Sequence, residues 1–411
     1  MQDFFDVLKV KDFISLIRQM PVLGTELVGL EDSGRRRLAR NIVAAEDLPG
    51  TNRSSMDGYA VIARDTFGAG EANPAYLDVT GSVSIQDSPQ KELAQGQCMG
   101  IVTGATLPPG ADSVVMIEHV HEMGHSTIEV RRPVAPRENV MLRGEDIRFG
   151  DVALSAGDLI DSRRTGLLAA LGMQSLEVFK SPAVAIISTG DELVEISRKP
   201  GPGYIRDVNT HALDRMVREA GCRTDILGII PDSEKALEEA FSRALEKNDV
   251  VLVSGGSSVG NRDYTIKAMS GIKDLEVLAH GLAISPGKPT IFARKGNQCV
   301  WGLPGQVTSA QVVMQVLVIP FLAHLQGEID PFTIREEFQI LAFLSRNLAS
   351  RYGREDYVRV RLEKQDRQVL AVPVTGKSGL LKTLLEAHGL IRIPENCEGL
   401  SKDDQVLVRL F

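Results

Sequence analysis

The chain reads as a multidomain protein of the α/β plus β class, organised round a central, doubly wound α/β domain at residues 181–327. Three observations predict this. Strand-like apolar runs alternate with capped helical stretches from Ala183 to Val253. That βαβαβ order builds a mostly parallel sheet covered on both faces. On either side, at 46–134 and 328–411, short apolar runs alternate with turn signals, the pattern of β units. At 411 residues the chain also exceeds one ordinary core, so roughly two to four domains are expected.

In the first part, Phe5, Leu8, Phe13, Leu16 and Ile17 recur at helical spacing, and Pro21 ends that helix. A second helix is expected over 34–45. Residues 135–180 mix short strands, spaced by Gly144, Gly150 and Gly157, with a helix at 162–171. Together with 1–45 they are expected to form a discontinuous, elongated domain. The β-rich domain at 46–134 separates the two halves.

In the central block, a strand at 183–188 leads into Thr189-Gly190-Asp191-Glu192. A helix at 211–220 can be capped by Asn209 or Thr210 and closed by Gly221. A strand at 224–230, the turn Pro231-Asp232-Ser233 and an amphipathic helix at 234–247 come next. Residues 304–327 form a last helix, bent or ended at Pro320. In the final part, alternation over Tyr357–Leu362 and Val406–Leu410 marks a small β-barrel-like or sandwich unit.

The formal net charge is −8, which argues against a general nucleic-acid binder. An anionic ligand would therefore rely on local cations and N–H groups. Cys98, Cys222, Cys299 and Cys397 are far apart and form no CxxC, so free buried thiols are expected. The first residues lack the apolar core of a signal peptide, and no stretch reads as a membrane span, so a cytoplasmic location is expected.

The strongest chemical signal is DVVLVSGGSSVGNRD (249–263), an apolar strand that breaks into a Gly/Ser loop. Consecutive backbone N–H groups in such a loop, around Ser254, Gly255, Gly256, Ser257, Ser258 and Gly260, make an anion-binding concavity. Asp263 follows where it could hold a divalent cation beside a phosphate. Two similar loops come later, Ser285-Pro286-Gly287-Lys288-Pro289 and Gly302-Leu303-Pro304-Gly305-Gln306. Lys288 suits an oxyanion as a point charge. Asp57, Asp191, Glu192, Asp232 and Asp263 are the acidic candidates, although Asp232 by itself is also explained as turn chemistry before a helix. His119, His121 and His125 read better as an exposed hairpin than as a metal site. Trp301 reads as core or rim rather than as a stacking platform.

Taken in order, SSMDGYAV (54–61), TGATLPPGADSVVMIE (103–118), STGDEL (188–193), GYIRDVN (203–209) and LGIIPD (227–232) resemble the molybdopterin molybdenumtransferase family, related to the gephyrin E-domain. SGGSSVGNRDYT (254–265), SPGKP (285–289), GLPGQVTSA (302–310) and SGLLKTLLEAHGLIRIP (378–394) extend the likeness over essentially the whole chain, as a divergent member. The resemblance implies four domains, the central one a molybdopterin-binding fold, in an elongated homodimer. It places the site between that domain and a neighbouring subunit. The implied reaction inserts molybdate, or tungstate, into adenylylated molybdopterin with release of AMP and requires Mg²⁺. The implied protein partners are the molybdopterin adenylyltransferase and recipient molybdoenzymes, with no nucleic acid and no membrane.

By the same resemblance Asp263, Asp57, Glu192 and Asp232 are catalytic, and Asp263, Asp191 and Glu192 hold metal. Thr103, Ser254, Gly255, Gly256, Ser257, Ser258, Gly260, Lys288, Pro304 and Gly305 bind the pterin substrate. Gly281 and Ser285 stand where the family usually carries basic residues. Arg206, Arg262 and Arg294 are the candidates to replace that charge. A non-catalytic paralogue that binds molybdopterin or the finished cofactor as carrier or scaffold is the alternative.

Overall fold

The computed structural model describes residues 7–124, 126–255, 262–333, 338–376 and 379–411, without the side chains of residues 262 and 263. Its centre is a six-stranded sheet. The strands are β1 (Ala183–Thr189), β2 (Arg223–Ile230), β3 (Val250–Gly255), β4 (Glu276–His280), β5 (Ile291–Lys295) and β6 (Gln298–Leu303), in the spatial order β2-β1-β3-β6-β5-β4. The first four in that order are parallel, and β5 and β4 add an antiparallel edge.

Alternation along each strand sorts side chains between two cores. Val184 and Ile186 of β1, with Val250 and Leu252 of β3, face Leu213 and Val217 of helix α1 (Asn209–Glu219). Ala185, Ile187, Val251 and Val253 face Leu237, Ala240 and Phe241 of α2 (Glu234–Leu245) and Ala268 and Met269 of α3 (Arg262–Gly271). Because β2 and β3 lie on opposite sides of β1, the helices before and after β2 cover opposite faces. The carboxyl ends of β1 and β3 therefore form a topological switch point, where such sheets leave a crevice for ligand.

The expected helices and strands of this domain are present with shifted ends. α1 begins at Asn209 rather than His211, because the Asp207 carboxylate accepts the Thr210 N–H at 3.1 Å and caps it from further back. Ser233 caps α2 by accepting the Ala236 N–H at 3.3 Å. The last helix is continuous from Val307 to Leu325 but widens to a π-turn at Met314–Val318, just before Pro320. A wider turn accommodates a residue that has no N–H and crowds the preceding carbonyls. By length and composition this helix would suffice to cross a membrane, contrary to the sequence reading, yet most of it is buried in the core of the α/β domain.

Two expectations for the N-terminal part are corrected. The helix Val10–Ile17 does not pack with residues 135–180. Phe13 and Ile17 enter the core of the central domain, and Phe13 meets Trp301 edge-on at 5.4 Å and Phe292 at 5.8 Å. The helix expected over 34–45 is absent. Leu38 bridges Val178 instead, and Ile42–Val43 pairs with Val152–Leu154. Arg36 and Arg37 give their side chains to the Phe179 and Gly157 carbonyls, partners out of reach of a local helix. Ile42, Leu154, Leu168 and Leu176 then share a separate core.

The β-rich part is a six-stranded curled sheet containing Gly58–Val61, Gln97–Ile101 and Ser113–Met116. At the C-terminus Gln339–Leu344, Glu355–Gln365, Gln368–Pro373, Gly389–Ile393 and Gln405–Leu410 close into a five-stranded barrel. All four cysteines are free thiols, and burial pushes those of Cys98 and Cys222 up to about 12.

Candidate active site

A cleft of about 760 Å³ opens at the switch point. Its floor comes from strand ends: Thr189 closes β1, Ser254 and Gly255 close β3, Asp232 follows β2, and Gly305 follows β6. Thr189 and Gly255 are in register across the parallel ladder. Their backbones approach so closely that a Cβ on Gly255 would lie 1.8 Å from the Thr189 carbonyl oxygen, and Gly255 has φ of 128°. Only glycine is accommodated at that position.

The acidic side chains are placed by short links. Asp232 accepts the Thr189 hydroxyl at 2.6 Å, and its own N–H donates to the Asp191 carboxylate at 3.2 Å. Glu192 lines the same cleft. Ser188 donates to Asp207 at 2.9 Å, so one oxygen of the Asp207 carboxylate, Oδ1, serves both the Ser188 hydroxyl and the α1 cap.

One polar bridge goes beyond the helix cap that the sequence suggests for Asn209. The buried Asn209 amide donates to the Ser254 hydroxyl and, at 2.8 Å, to the Gly305 carbonyl. It thereby ties the end of β3 to the start of the last helix, which are separated by some fifty residues in sequence. Tyr204, Arg206 and Asp207 also line the cleft, from the loop that leads into α1. The motif GYIRDVN is the available signal, since it occupies the crossing of the first βαβ unit.

Other sequence candidates lie elsewhere. Asp57 and Thr103 meet each other in the β-rich part: the Asp57 carboxylate accepts the Thr103 N–H at 2.7 Å and its hydroxyl at 2.9 Å. Neither is among the described residues lining the cleft of the same chain. Those two hydrogen bonds hold the Asp57 carboxyl below the usual aspartate range, the backbone one most strongly. A carboxyl depressed in the folded state stabilises it above the unfolded pKa, and that contribution disappears as pH falls through the folded pKa. Thr103→Val should therefore raise the Asp57 pKa while leaving the backbone bond. An NMR titration in which the variant and the parent coincide would remove the hydroxyl from this pair.

Lys288 is exposed in a turn where its carbonyl accepts the Leu282 N–H at 2.9 Å, and it does not line the cleft. Gly281 is buried and donates to the Thr290 carbonyl, while Ser285 pairs with Asp356 of the barrel. Of the three arginines considered for the missing charge, Arg206 lines the cleft, and Arg294 bonds the Gly296 carbonyl at 2.7 Å at the far hairpin of β5 and β6. The Arg262 side chain lies outside the described residues, as do Gly256, Ser257, Ser258, Gly260, His125 and the side chain of Asp263. Asp263 itself stands in the first turn of α3. Pro304 contributes its carbonyl, which accepts the Ser254 hydroxyl at 3.4 Å. Gly379 and Leu381, from the C-terminal part of the chain, complete one wall.

Comparison with known proteins finds likeness along most of the chain. Residues 8–172 match the MoeA N-terminal region (domain I and II), 185–324 the "Probable molybdopterin binding domain", and 342–411 the MoeA C-terminal region (domain IV). The chain is 33% identical over 391 residues to the molybdopterin molybdenumtransferase of Bacillus subtilis, covering 94% of this chain and 90% of that one. It is 30% identical over 399 residues to the enzyme of the same name from Haemophilus influenzae, covering 96% of each. The crystal structure of the molybdopterin biosynthesis moeA protein from Pyrococcus horikoshii OT3 superposes with a TM-score of 0.82 at 29% identity, over 99% of this chain and 100% of that one. With three consecutive family regions and full-length relatives on one architecture, this chain belongs to the MoeA family of molybdopterin molybdenumtransferases.

Proposed function

We propose that this protein inserts molybdate, or tungstate, into adenylylated molybdopterin, releasing AMP. The carrying observation is the cleft at the switch point, where glycine-lined strand ends meet Glu192 and Asp232. Release of AMP is a hydrolysis, in which water forms the new P–O bond as the phosphoanhydride breaks, and such a displacement depends on positioning and charge offset more than on covalent help from the protein. The Gly255 backbone and the Gly/Ser loop that follows it would donate to the pterin phosphate. Thr189 holds Asp232 in one orientation beside them.

The all-oxygen set of Asp191, Glu192 and Asp232 suits Mg²⁺, a hard cation that keeps several waters and takes one or two carboxylates plus substrate phosphates. No cluster of three metal-holding side chains closes among the described residues. The substrate and Asp263 would then complete the coordination. When bound, the ion would offset charge on the phosphates. In the working protein we place Asp57 and Thr103 at the cleft of a neighbouring subunit in a homodimer. The setting would be cytoplasmic, with the adenylyltransferase that makes the substrate and the recipient molybdoenzymes as partners.

The test is AMP release from adenylylated molybdopterin with Mg²⁺, titrating molybdate and tungstate in parallel. Release that depends on one oxyanion supports the transferase and identifies its metal. Tight pterin binding without AMP release points to the carrier, a reading favoured by Gly281 and Ser285 at positions usually basic in the family. Asp232→Asn keeps the shape and the Thr189 contact but removes the charge. It should slow AMP release roughly 10²–10³-fold, the scale on which one preorganised electrostatic group acts. An unchanged rate would return Asp232 to turn chemistry alone.

A further inference from the structure

The charged residues lining the cleft are Glu192, Asp207, Asp232 and Arg206, so Arg206 is the single cation among the described lining residues. Any anion entering there meets carboxylates on a chain of net charge −8. Like-charge approach of that kind is unfavourable without a local counter-charge. Gly281 and Ser285 offer none.

Arg206 is also unusually well prepared. Its backbone is locked on both sides: Ile205 N–H donates to the Glu192 carbonyl and Asp207 N–H to the Val194 carbonyl, each at 2.9 Å. These bonds belong to a short parallel pairing of Leu193–Val194 with Ile205–Arg206. The side chain is fixed as well, because Nε–H donates to the Ile196 carbonyl at 3.1 Å. That one bond restrains the guanidinium plane, and among the described residues neither terminal nitrogen is given a partner, so both can meet another acceptor. Many other arginines of this chain, Arg37 and Arg143 for example, are paired with carboxylates, whereas no carboxylate lies within ion-pair distance of Arg206 among the described residues. An exposed, restrained guanidinium at the rim of an acidic cleft, with no acid partner among the described residues, has the form of a ligand contact. Its planar fork matches two oxygens of a tetrahedral anion.

We infer that Arg206 is the anion-recognition residue of this cleft, taking a tetrahedral dianion through its two terminal nitrogens. The inference rests on the proposed function for the identity of that dianion, which is either a nucleotide phosphate or the metal oxyanion. It does not rest on it for the binding itself.

The experiment compares the full-length protein with Arg206→Gln and Arg206→Lys by titration calorimetry. The probes are AMP, inorganic molybdate and inorganic tungstate, with adenosine as the uncharged control. Arg206→Gln should weaken at least one anion by about 10- to 100-fold, the range expected for losing hydrogen bonds to a charged group. Adenosine should be unaffected, and binding of the weakened anion should become less salt-sensitive. Arg206→Lys should recover only part, since an ammonium restores charge but not the fork. A loss confined to AMP assigns Arg206 to the phosphate; a loss confined to molybdate or tungstate assigns it to the oxyanion. Equal affinities for every anion in parent and variants overturn the inference. So does a loss of adenosine binding in parallel with the anions in both variants, which would mark a collapsed cleft. AMP release by the parent protein is measured alongside. Its absence, with the Arg206 dependence intact, defeats the proposed reaction and leaves the anion site standing.

Discussion

Gly255→Ala should destabilise the central domain by roughly 2–6 kcal/mol, combining strain at a disfavoured backbone angle with overpacking against a rigid neighbour. The added methyl would sit 1.8 Å from the Thr189 carbonyl oxygen, an atom held in the parallel ladder between β1 and β3 and therefore unable to give way. The two strands would have to separate at their carboxyl ends, where the cleft floor lies, so ligand binding should fail together with stability. Trp301 is the only tryptophan and is fully buried in this domain, so its fluorescence reports the relevant transition in a multidomain chain. Gly34→Ala is the control, because a methyl group there would meet nothing within 4 Å, and its effect should stay within about 0.5 kcal/mol. Equal denaturation midpoints for the two variants would mean that the close approach of β1 and β3 is not maintained.

Phe13→Ala should cost about 3–5 kcal/mol in the same transition, the usual range for emptying a buried aromatic site. Phe13 lies edge-on to Trp301 at 5.4 Å and to Phe292 at 5.8 Å, with interplanar angles of 80° and 87°. Phe321 closes the group, 5.4 Å from Trp301. Edge-to-face pairs add stabilisation beyond burial alone. The measurement also separates two placements of the N-terminal helix. If Val10–Ile17 packed with residues 135–180, the Trp301 transition would not move.

The contrast between Val10–Ile17 and 34–45 shows what periodicity can and cannot convey. Apolar spacing at Leu8, Phe13, Leu16 and Ile17 implies a helix, which the structure forms at Val10–Ile17 with Val10, Phe13 and Ile17 buried on one face and Leu8 ahead of it, while Phe5 lies outside the described residues. It does not say which core receives that face, because many apolar surfaces satisfy the same stripe. Over 34–45 the pattern reads as helical where the chain forms turns and short strand pairings, since Leu38 and Ile42 find partners at Val178 and Leu154, more than a hundred residues away. Distant pairing overrides local propensity when it satisfies both backbone and side chains.

The site divides in the same way. Strand ends, glycines and carboxylates at Thr189, Gly255, Glu192 and Asp232 are legible because a βαβ order places successive carboxyl ends along one edge. Asn209 looks like a cap because capping is local chemistry, whereas its bridge from Ser254 to Gly305 exists only once β3 and the last helix are neighbours. Arg206 is one of three arginines of equal standing until the fold puts it in the cleft and Arg294 at a distant hairpin.

From the sequence by itself come the class of the chain, its family and the Gly/Ser loop proposed to take an anion, because periodicity, turn residues and contiguous motifs are short-range properties. Tertiary structure alone decided which core holds the first helix, which side chains bridge the cleft and which cation stands within it. Those are contacts between residues far apart in sequence, and the energy that selects them is not written in any one segment.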